Sequence, residues 1–256
     1  MSKTLLWLIA GVCAAQDARE IVAEAQRRTR TESQHYEGSL QVIDAHNRVT
    51  AKKWIYDRIG SHGRSKAVLR FTEPPEVKGV AILIVNHPDR ASDQWMWTPA
   101  IQRDRRIALQ DRSTRFFGTD FSFEDLEERD VDQYDYRLLG EETQGGEPCW
   151  KIESRPRPGR QSQYSHTQAW IRKDVPVTVR IDAFRKDELV RRITWRDIEK
   201  IKGIWTAKTM EVFDARRNSR TVMRLERLDY NIPMKDSDFT LEALRVGQAR
   251  RPVRDP

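Results

Sequence analysis

From Leu40 onward, apolar and polar side chains alternate with a period of two, and the alternation returns in segment after segment. Leu40, Val42 and Ala45 mark a first strand. Lys52 to Ile59 sets Trp54 and Tyr56 against Ile55 and Ile59. Beyond a turn at Gly60-Ser61-His62-Gly63, Ala67, Leu69 and Phe71 point one way while Lys66 and Arg70 point the other. This is the pattern of antiparallel strands with one face on a core and one in water. Val80 to Val85 breaks it, because both faces are apolar, as in a strand covered on both sides. Asp93 to Pro99 restores the period, with Trp95 and Trp97 on one face and Gln94, Met96 and Thr98 on the other.

Arg103, Arg105 and Arg106 then carry a basic strand or loop. Phe116 to Leu126 predicts a loop running into a short helix, since Ser122 and Asp125 have the spacing of an N-terminal cap. Seven more strands follow, at Tyr134–Glu142, Pro148–Arg155, Thr167–Lys173, Val175–Ala183, Leu189–Ile198, Gly203–Phe213 and Arg220–Tyr230. Short turns such as Gly145-Gly146 and Lys202-Gly203 separate them, which predicts a continuous antiparallel meander. Helical periodicity is confined to Asp17–Arg30, where Ile21, Val22 and Ala25 share a thin stripe suited to an edge of the fold, and to a final turn over Asp236–Leu244.

The first residues follow another pattern. Met1-Ser2-Lys3 is a basic start, Thr4 to Ala14 is apolar, and Cys13-Ala14-Ala15 offers small residues for cleavage. The run is about half of the roughly 20 residues that span a bilayer, so a cleavable secretory signal is predicted, with a buried N-terminal helix as the alternative. Val12 before Cys13 argues against lipidation. The expected organisation is a signal peptide over 1–15, one domain over 16–247, and a basic, disordered tail over 248–256.

The net charge of +7 suits nucleic acid, an anionic lipid surface or an acidic partner. Export, and the lack of any helix-turn-helix, zinc-finger or RNA-binding motif, removes nucleic acid. Cleavage would leave Cys149 as the one cysteine, read as a small buried residue. Asp120, Glu124, Asp125, Glu127 and Glu128 lack the spacing of a calcium loop, and read as helix capping and a solvated face. The five histidines show no metal-ligand spacing. Gly-x-Ser-x-Gly, P-loop and Gly-x-Gly-x-x-Gly patterns are absent. No catalytic residue, metal or cofactor is therefore assigned, and an enzyme is not expected. Beyond the expected signal peptide lie seven tryptophans, at 54, 95, 97, 150, 170, 195 and 205, nearly all in predicted strands. They suit an ordinary core or an interior with room for a ligand.

Several of these residues together resemble a bacterial family. Phe71-x-x-Pro74 with Lys78-Gly79, Trp95-x-Trp97-x-Pro99, Arg105-Arg106-Ile107 and Gly118 to Leu126 are similar to the outer-membrane lipoprotein-sorting-protein-like (LolA-like) family. Trp195, Gly203-x-Trp205, Met210, Asn231-x-Pro233 and Asp238-Phe239 agree with it. The resemblance implies a mainly β fold, a half-open, strongly curved antiparallel barrel of about eleven strands closed by a few short helices around an apolar cavity. It implies a monomeric periplasmic carrier of lipid or lipoprotein cargo. An inner-membrane transporter of the resistance-nodulation-division (RND) type is the implied partner, with an outer-membrane acceptor beyond it. A sensing or regulatory module of the same fold is the other function it implies. On that basis Ala67, Leu69, Phe71, Trp95 and Trp97 are the expected cavity lining, and Phe116, Phe117, Phe121, Phe123 and Leu126 the expected lid. Arg103, Arg105 and Arg106 are expected to meet a head group or a partner, with a solvated strand edge as the alternative.

Overall fold

The computed structural model describes residues 18–246. The signal peptide and tail expected at 1–15 and 248–256 lie outside the described residues. Thirteen strands form one antiparallel sheet: β1 (Ser33–Ile43), β2 (Val49–Ser61), β3 (Arg64–Glu73), β4 (Ala81–Val85), β5 (Asp93–Thr98), β6 (Arg103–Arg106), β7 (Tyr134–Gln144), β8 (Glu147–Pro156), β9 (His166–Arg172), β10 (Thr178–Arg185), β11 (Glu188–Ile201), β12 (Ile204–Asp214) and β13 (Ser219–Tyr230). Their order is β6-β5-β4-β3-β2-β1-β13-β12-β11-β10-β9-β8-β7. The first six strands thus make one wing, the last seven the other, and the β1–β13 pair joins them. The sheet is curved but not closed, and β6 and β7 are its free edges.

The expected class holds, with thirteen strands where about eleven were expected. The basic stretch Arg103–Arg106 is a strand because it pairs with β5 along its whole length. Tight connections keep neighbours in sequence adjacent in space. Between β11 and β12 the turn carries Lys202 at φ 49° and Gly203 at φ 86°. Two successive positive φ angles match the right-handed twist of the flanking strands. β10 begins at Thr178 rather than Val175, as Pro176 has no N–H to offer a ladder.

A helix over 18–28, α1, packs Ala18, Ile21, Val22 and Ala25 against Tyr136, Leu138, Trp150, Ile152 and Ile171 of β7, β8 and β9. A second helix, α2 (Leu241–Val246), lies with Phe239 on the other side of the sheet, over Val68, Ala81 and Leu83 of β3 and β4. Among the described residues, no helix is long and apolar enough to cross a membrane.

Cross-strand register decides which side chains meet, because directly opposed residues share a face. Tyr36, Tyr56, Leu69, Ile82 and Met96 oppose one another in turn from β1 to β5. Leu138, Ile152, Ala169, Ile181, Ile193 and Val212 do so from β7 to β12. Both rows lie on the inner face. The main core fills the inner face of the first wing and the junction, bringing Leu40, Trp54, Leu69, Phe71, Ile82 and Ile84 against Val212 and Met223.

Candidate functional site

The connection from β6 to β7 leaves one free edge of the sheet and reaches the other. It runs as a strap over 107–133 across the inner face, with three short 3-10 turns. Phe116, Phe121 and Phe123 of the strap are buried in the main core. Phe116 stacks on Phe71 with ring centroids 5.4 Å apart, and meets Phe123 edge-on at 5.8 Å.

The charged residues of the strap are equally fixed. Asp120 is fully buried and accepts from Ser219 Oγ at 2.5 Å, Thr221 Oγ1 at 2.8 Å and Arg115 at 2.8 Å. Its own backbone N–H donates to Thr221 Oγ1 at 2.8 Å. Asp125 accepts from Ser122 N at 2.7 Å, Tyr164 OH at 2.7 Å and Arg191 at 2.5 Å. Glu127 takes Arg112 and, at 2.9 Å, Arg160. Glu128 pairs with Arg58 at 2.8 Å. Glu124 accepts from Ser162 and from Gln163 N at 2.8 Å, while burial pushes its carboxyl above the usual range. The reading of these five acids as a solvated face is therefore corrected. A strap that crosses an apolar face must bring matched partners for every charge it buries, and here each acid has one.

Two adjoining cavities open on the inner face beside the strap. One, of about 360 Å³, is a trough under α1, lined by Val22, Ala25, Ile152, Ile171, Val177, Ile181, Ile193, Trp195 and Ile198. Glu124, Asp125, Glu127, Glu128 and Arg129 form its polar wall. The other, of about 280 Å³, lies between β1, β2, β12 and β13 and is lined by Tyr36, Trp54, Arg58, Trp205, Met210, Met223, Leu225 and Tyr230. Thr29, His62, Glu128, Trp205 and Ala207 line both. Binding pockets for small ligands fall in the range of roughly 300–1,000 Å³, so the pair is of ligand size and mostly apolar. Gln26 of α1 donates to the Arg129 carbonyl at 2.9 Å, clamping the helix to the strap over the trough.

These cavities do not lie where the sequence pointed. Ala67, Leu69 and Phe71 do face inward, but they are buried and line neither cavity. The strap's phenylalanines occupy the space in front of Leu69 and Phe71. Trp95 and Trp97 are on the opposite face: they oppose Leu83 and Ala81, and pack in the cluster that holds Phe239, Leu241 and Leu244. Ladder geometry makes this unavoidable, because Met96 shares the Leu69 face and its two neighbours must point away. Phe116, Phe117, Phe121, Phe123 and Leu126 also line neither cavity, so they form a plug in the core rather than a cover. Arg103, Arg105 and Arg106 are exposed on the edge strand. Arg106 pairs with Asp93 at 2.6 Å and lines a separate cleft of about 510 Å³ between the loop before β5 and the start of the strap.

The lining of the trough comes from α1 and the second wing, which the sequence did not single out. A signal was present. Ile152, Ala169, Ile171, Ile181, Ile193 and Trp195 sit at alternate positions of successive strands with no aromatic plug in sequence to fill the space between them. Cys149 is fully buried, as expected.

Comparisons with known proteins bear on this arrangement. A protein-family model, described as that of an uncharacterized protein, matches residues 63–246. No curated protein sequence matches the chain. Among solved structures, an outer membrane lipoprotein-sorting protein domain from Vibrio parahaemolyticus superposes with a TM-score of 0.85 at 23% identity, covering 90% of this chain and 99% of that one. A DUF1329 family protein from Desulfovibrio piger gives a TM-score of 0.85 at 28% identity with the same coverage, 90% and 99%. A LolA superfamily protein from Nitrosomonas europaea gives 0.70 at 16% identity, covering 88% and 98%. With the match over 63–246 and the shared curved sheet, the chain belongs to the DUF1329 family of LolA-like proteins.

Proposed function

We infer that this chain is a non-catalytic periplasmic carrier that holds an acyl chain of a lipid or lipoprotein and passes it between membrane partners. The observation that carries the reading is the trough under α1, in which β8–β11 present a continuous apolar wall to a cavity of about 360 Å³. Each methylene of an acyl chain gains about 0.8 kcal/mol on leaving water, so a 16-carbon chain resists entering it by on the order of 12 kcal/mol. Crossing an aqueous compartment needs a surface that replaces the membrane, and the second wing offers one. The name of the Vibrio relative, a lipoprotein-sorting domain, supports cargo of this class. Periplasmic placement rests on the apolar N-terminal run and on the relatives. An inner-membrane transporter of the RND type and an outer-membrane acceptor are the partners that the family resemblance supplies. Cargo would enter where α1 meets the strap, a seam that Gln26 and the Arg19–Asp132 pair hold with only a few polar contacts among the described residues.

Native mass spectrometry of protein purified without detergent, followed by organic extraction, tests the reading. A stoichiometric lipid or acylated peptide is expected. A protein that carries nothing, and that binds no apolar probe in solution, would overturn it.

A further inference from the structure

The five acids of the strap all have partners, but one of its cations has its gripping edge free. Arg129 is the one lysine or arginine that lines the trough. Its Nη1 donates to Thr167 Oγ1 at 3.1 Å, and its guanidinium lies over the Tyr134 ring, 5.5 Å from the centroid. Thr167 and Tyr134 line the trough as well. Nε and Nη2 of Arg129 donate to nothing among the described residues. They are not sealed either. The Nε atoms of Arg58, Arg112, Arg160 and Arg191 are buried without a partner, and no nitrogen of Arg129 is.

Nε–H and Nη2–H lie side by side on one edge of a guanidinium and match the two oxygens of an oxyanion. This chain uses that edge repeatedly. Arg180 holds Asp182 through Nε at 2.9 Å and Nη2 at 2.6 Å, and Arg192 holds the same carboxylate at 2.8 and 2.9 Å. Arg216 holds Glu188 at 3.1 and 2.7 Å. On Arg129 the edge is unfilled. Nearby acids are engaged elsewhere: Asp125 by Arg191, Glu127 by Arg112 and Arg160, Glu128 by Arg58, and Glu124 by Ser162 and Gln163 N. Among the described residues no carboxylate lies within ion-pair distance of Arg129. Burial works against its charge, but Tyr134, Glu124, Tyr164 and Asp125 outweigh it through space and keep the guanidinium charged. A cation on the wall of an apolar trough is costly without a bound partner, and that cost falls when an anion arrives.

The surroundings give the anion a direction. Thr167, Ala169 and Ile171 follow one another at alternate positions of β9, and all three line the trough. The apolar wall therefore runs away from the guanidinium along the strand. The Arg129 carbonyl, in turn, accepts from Gln26 at the seam between α1 and the strap.

We propose that the Nε and Nη2 edge of Arg129 binds the oxyanion of a single-chain amphiphile, a carboxylate or a phosphate ester, while the acyl chain lies along the trough from Thr167 towards Ile171. The site deepens the carrier reading and rests on it. It places the charged end of the cargo at the seam and the tail inside.

Binding of laurate, dodecyl phosphate and 1-dodecanol, each below its micellar or solubility limit, tests the site by displacement of a fluorescent apolar probe. A carboxylate or phosphate gives up more hydration than a hydroxyl, so a purely apolar trough would prefer the alcohol. Both anions are instead expected to bind about tenfold tighter than the alcohol, as a charge-assisted pair provides. Arg129→Gln is expected to bring the anions down to the alcohol's affinity or below and leave the alcohol unmoved, with a melting curve showing that the variant is folded. Should it not fold, Arg129→Lys, which keeps the charge and loses the edge, is expected to lower anion affinity several-fold. Arg103→Gln, on the exposed edge strand, removes the same charge and is expected to change none of the three. Alcohol binding as tight as the anions overturns the site and leaves the carrier standing. An anion preference that survives in the folded Arg129 variant, or that falls equally in Arg103→Gln, overturns the assignment to Arg129. Displacement of dodecyl phosphate by equimolar inorganic phosphate overturns the amphiphile in favour of a free anion, and binding of none of the three overturns carrier and site together.

Discussion

Arg191 of β11 and Asp125 of the strap meet at 2.5 Å, with side chains 7% and 3% exposed. Burial by itself would lower the Arg191 pKa, but Asp125, Tyr164 and Asp214 outweigh it and hold the guanidinium firmly charged. The pair ties the strap to the second wing, while the phenylalanine plug ties it to the first. Breaking a buried pair by removing one partner costs about 3–5 kcal/mol, because the other is left charged and unmatched. Arg191→Met is therefore expected to lower the unfolding free energy by that amount in urea denaturation. Replacing both residues, Arg191→Met with Asp125→Leu, is expected to recover a large part of the loss.

The two faces of the sheet make the location of the cargo site testable. Ile181→Trp adds bulk inside the trough and is expected to cut binding of an apolar probe at least tenfold. Trp97→Ala removes packing beneath α2 on the far side of the sheet. It is expected to cost about 3 kcal/mol of stability, as large-to-small changes of aromatics do, and to leave probe affinity within twofold. Probe titrations on both variants, beside thermal melts, separate the outcomes. Loss of binding in Trp97→Ala at full stability would put the site back on the wall first read from the sequence.

Most strands were legible because they alternate and are bounded by turn residues. Their faces were only partly so. Alternation says that Trp95 and Trp97 share a side, but not which side, and β4 is apolar on both. The acids of the strap misled for a related reason. In sequence, Glu124-Asp125-Leu126-Glu127-Glu128 looks solvated, because the cations that pair with it come from Arg112 earlier in the strap and from Arg58, Arg160 and Arg191 on distant segments. The hollow itself was illegible, since an inward isoleucine reads the same whether or not another residue fills the space before it.

His35 offers a test by pH. Its Nδ1 is 2.7 Å from Asp57, and that hydrogen bond raises its pKa above the ordinary 6.5, against the opposing effect of burial. A raised folded pKa means that protonation favours the fold. The contribution is fully present below about 6.5 and is lost as pH rises through the folded value. Burial lowers the pKa of His62 and His166 instead. Proton NMR titration is expected to show the His35 ring resonances shifting above 6.5 and the other two below. The stability difference between the natural chain and His35→Asn should shrink across the same upper window.

Asp120 carries the last prediction, because it explains why the Gly118-Thr119-Asp120-Phe121 run has the residues it has. Phe117 and Gly118 hold φ of 44° and 74°, so the chain reverses there. The reversal is closed by Phe116 N–H donating to the Phe121 carbonyl and by Thr119 Oγ1 donating to the Phe116 carbonyl at 2.6 Å. That loop places Phe116 and Phe121 into the core and leaves Asp120 facing β13, where Ser219 and Thr221 offer hydroxyls. Asp120→Ala would strand those hydroxyls and remove the carboxylate paired with Arg115, which keeps the Gly118 and Thr119 carbonyls, at a cost of about 2–4 kcal/mol. Asp120→Asn keeps one oxygen acceptor and should cost less. Because the loop is what seats the plug, Asp120→Ala is also expected to speed hydrogen exchange of the Phe116, Thr119 and Phe121 amides relative to those of β8 and β9. Uniform acceleration across both wings would mean instead that Asp120 stabilises the sheet as a whole rather than the strap.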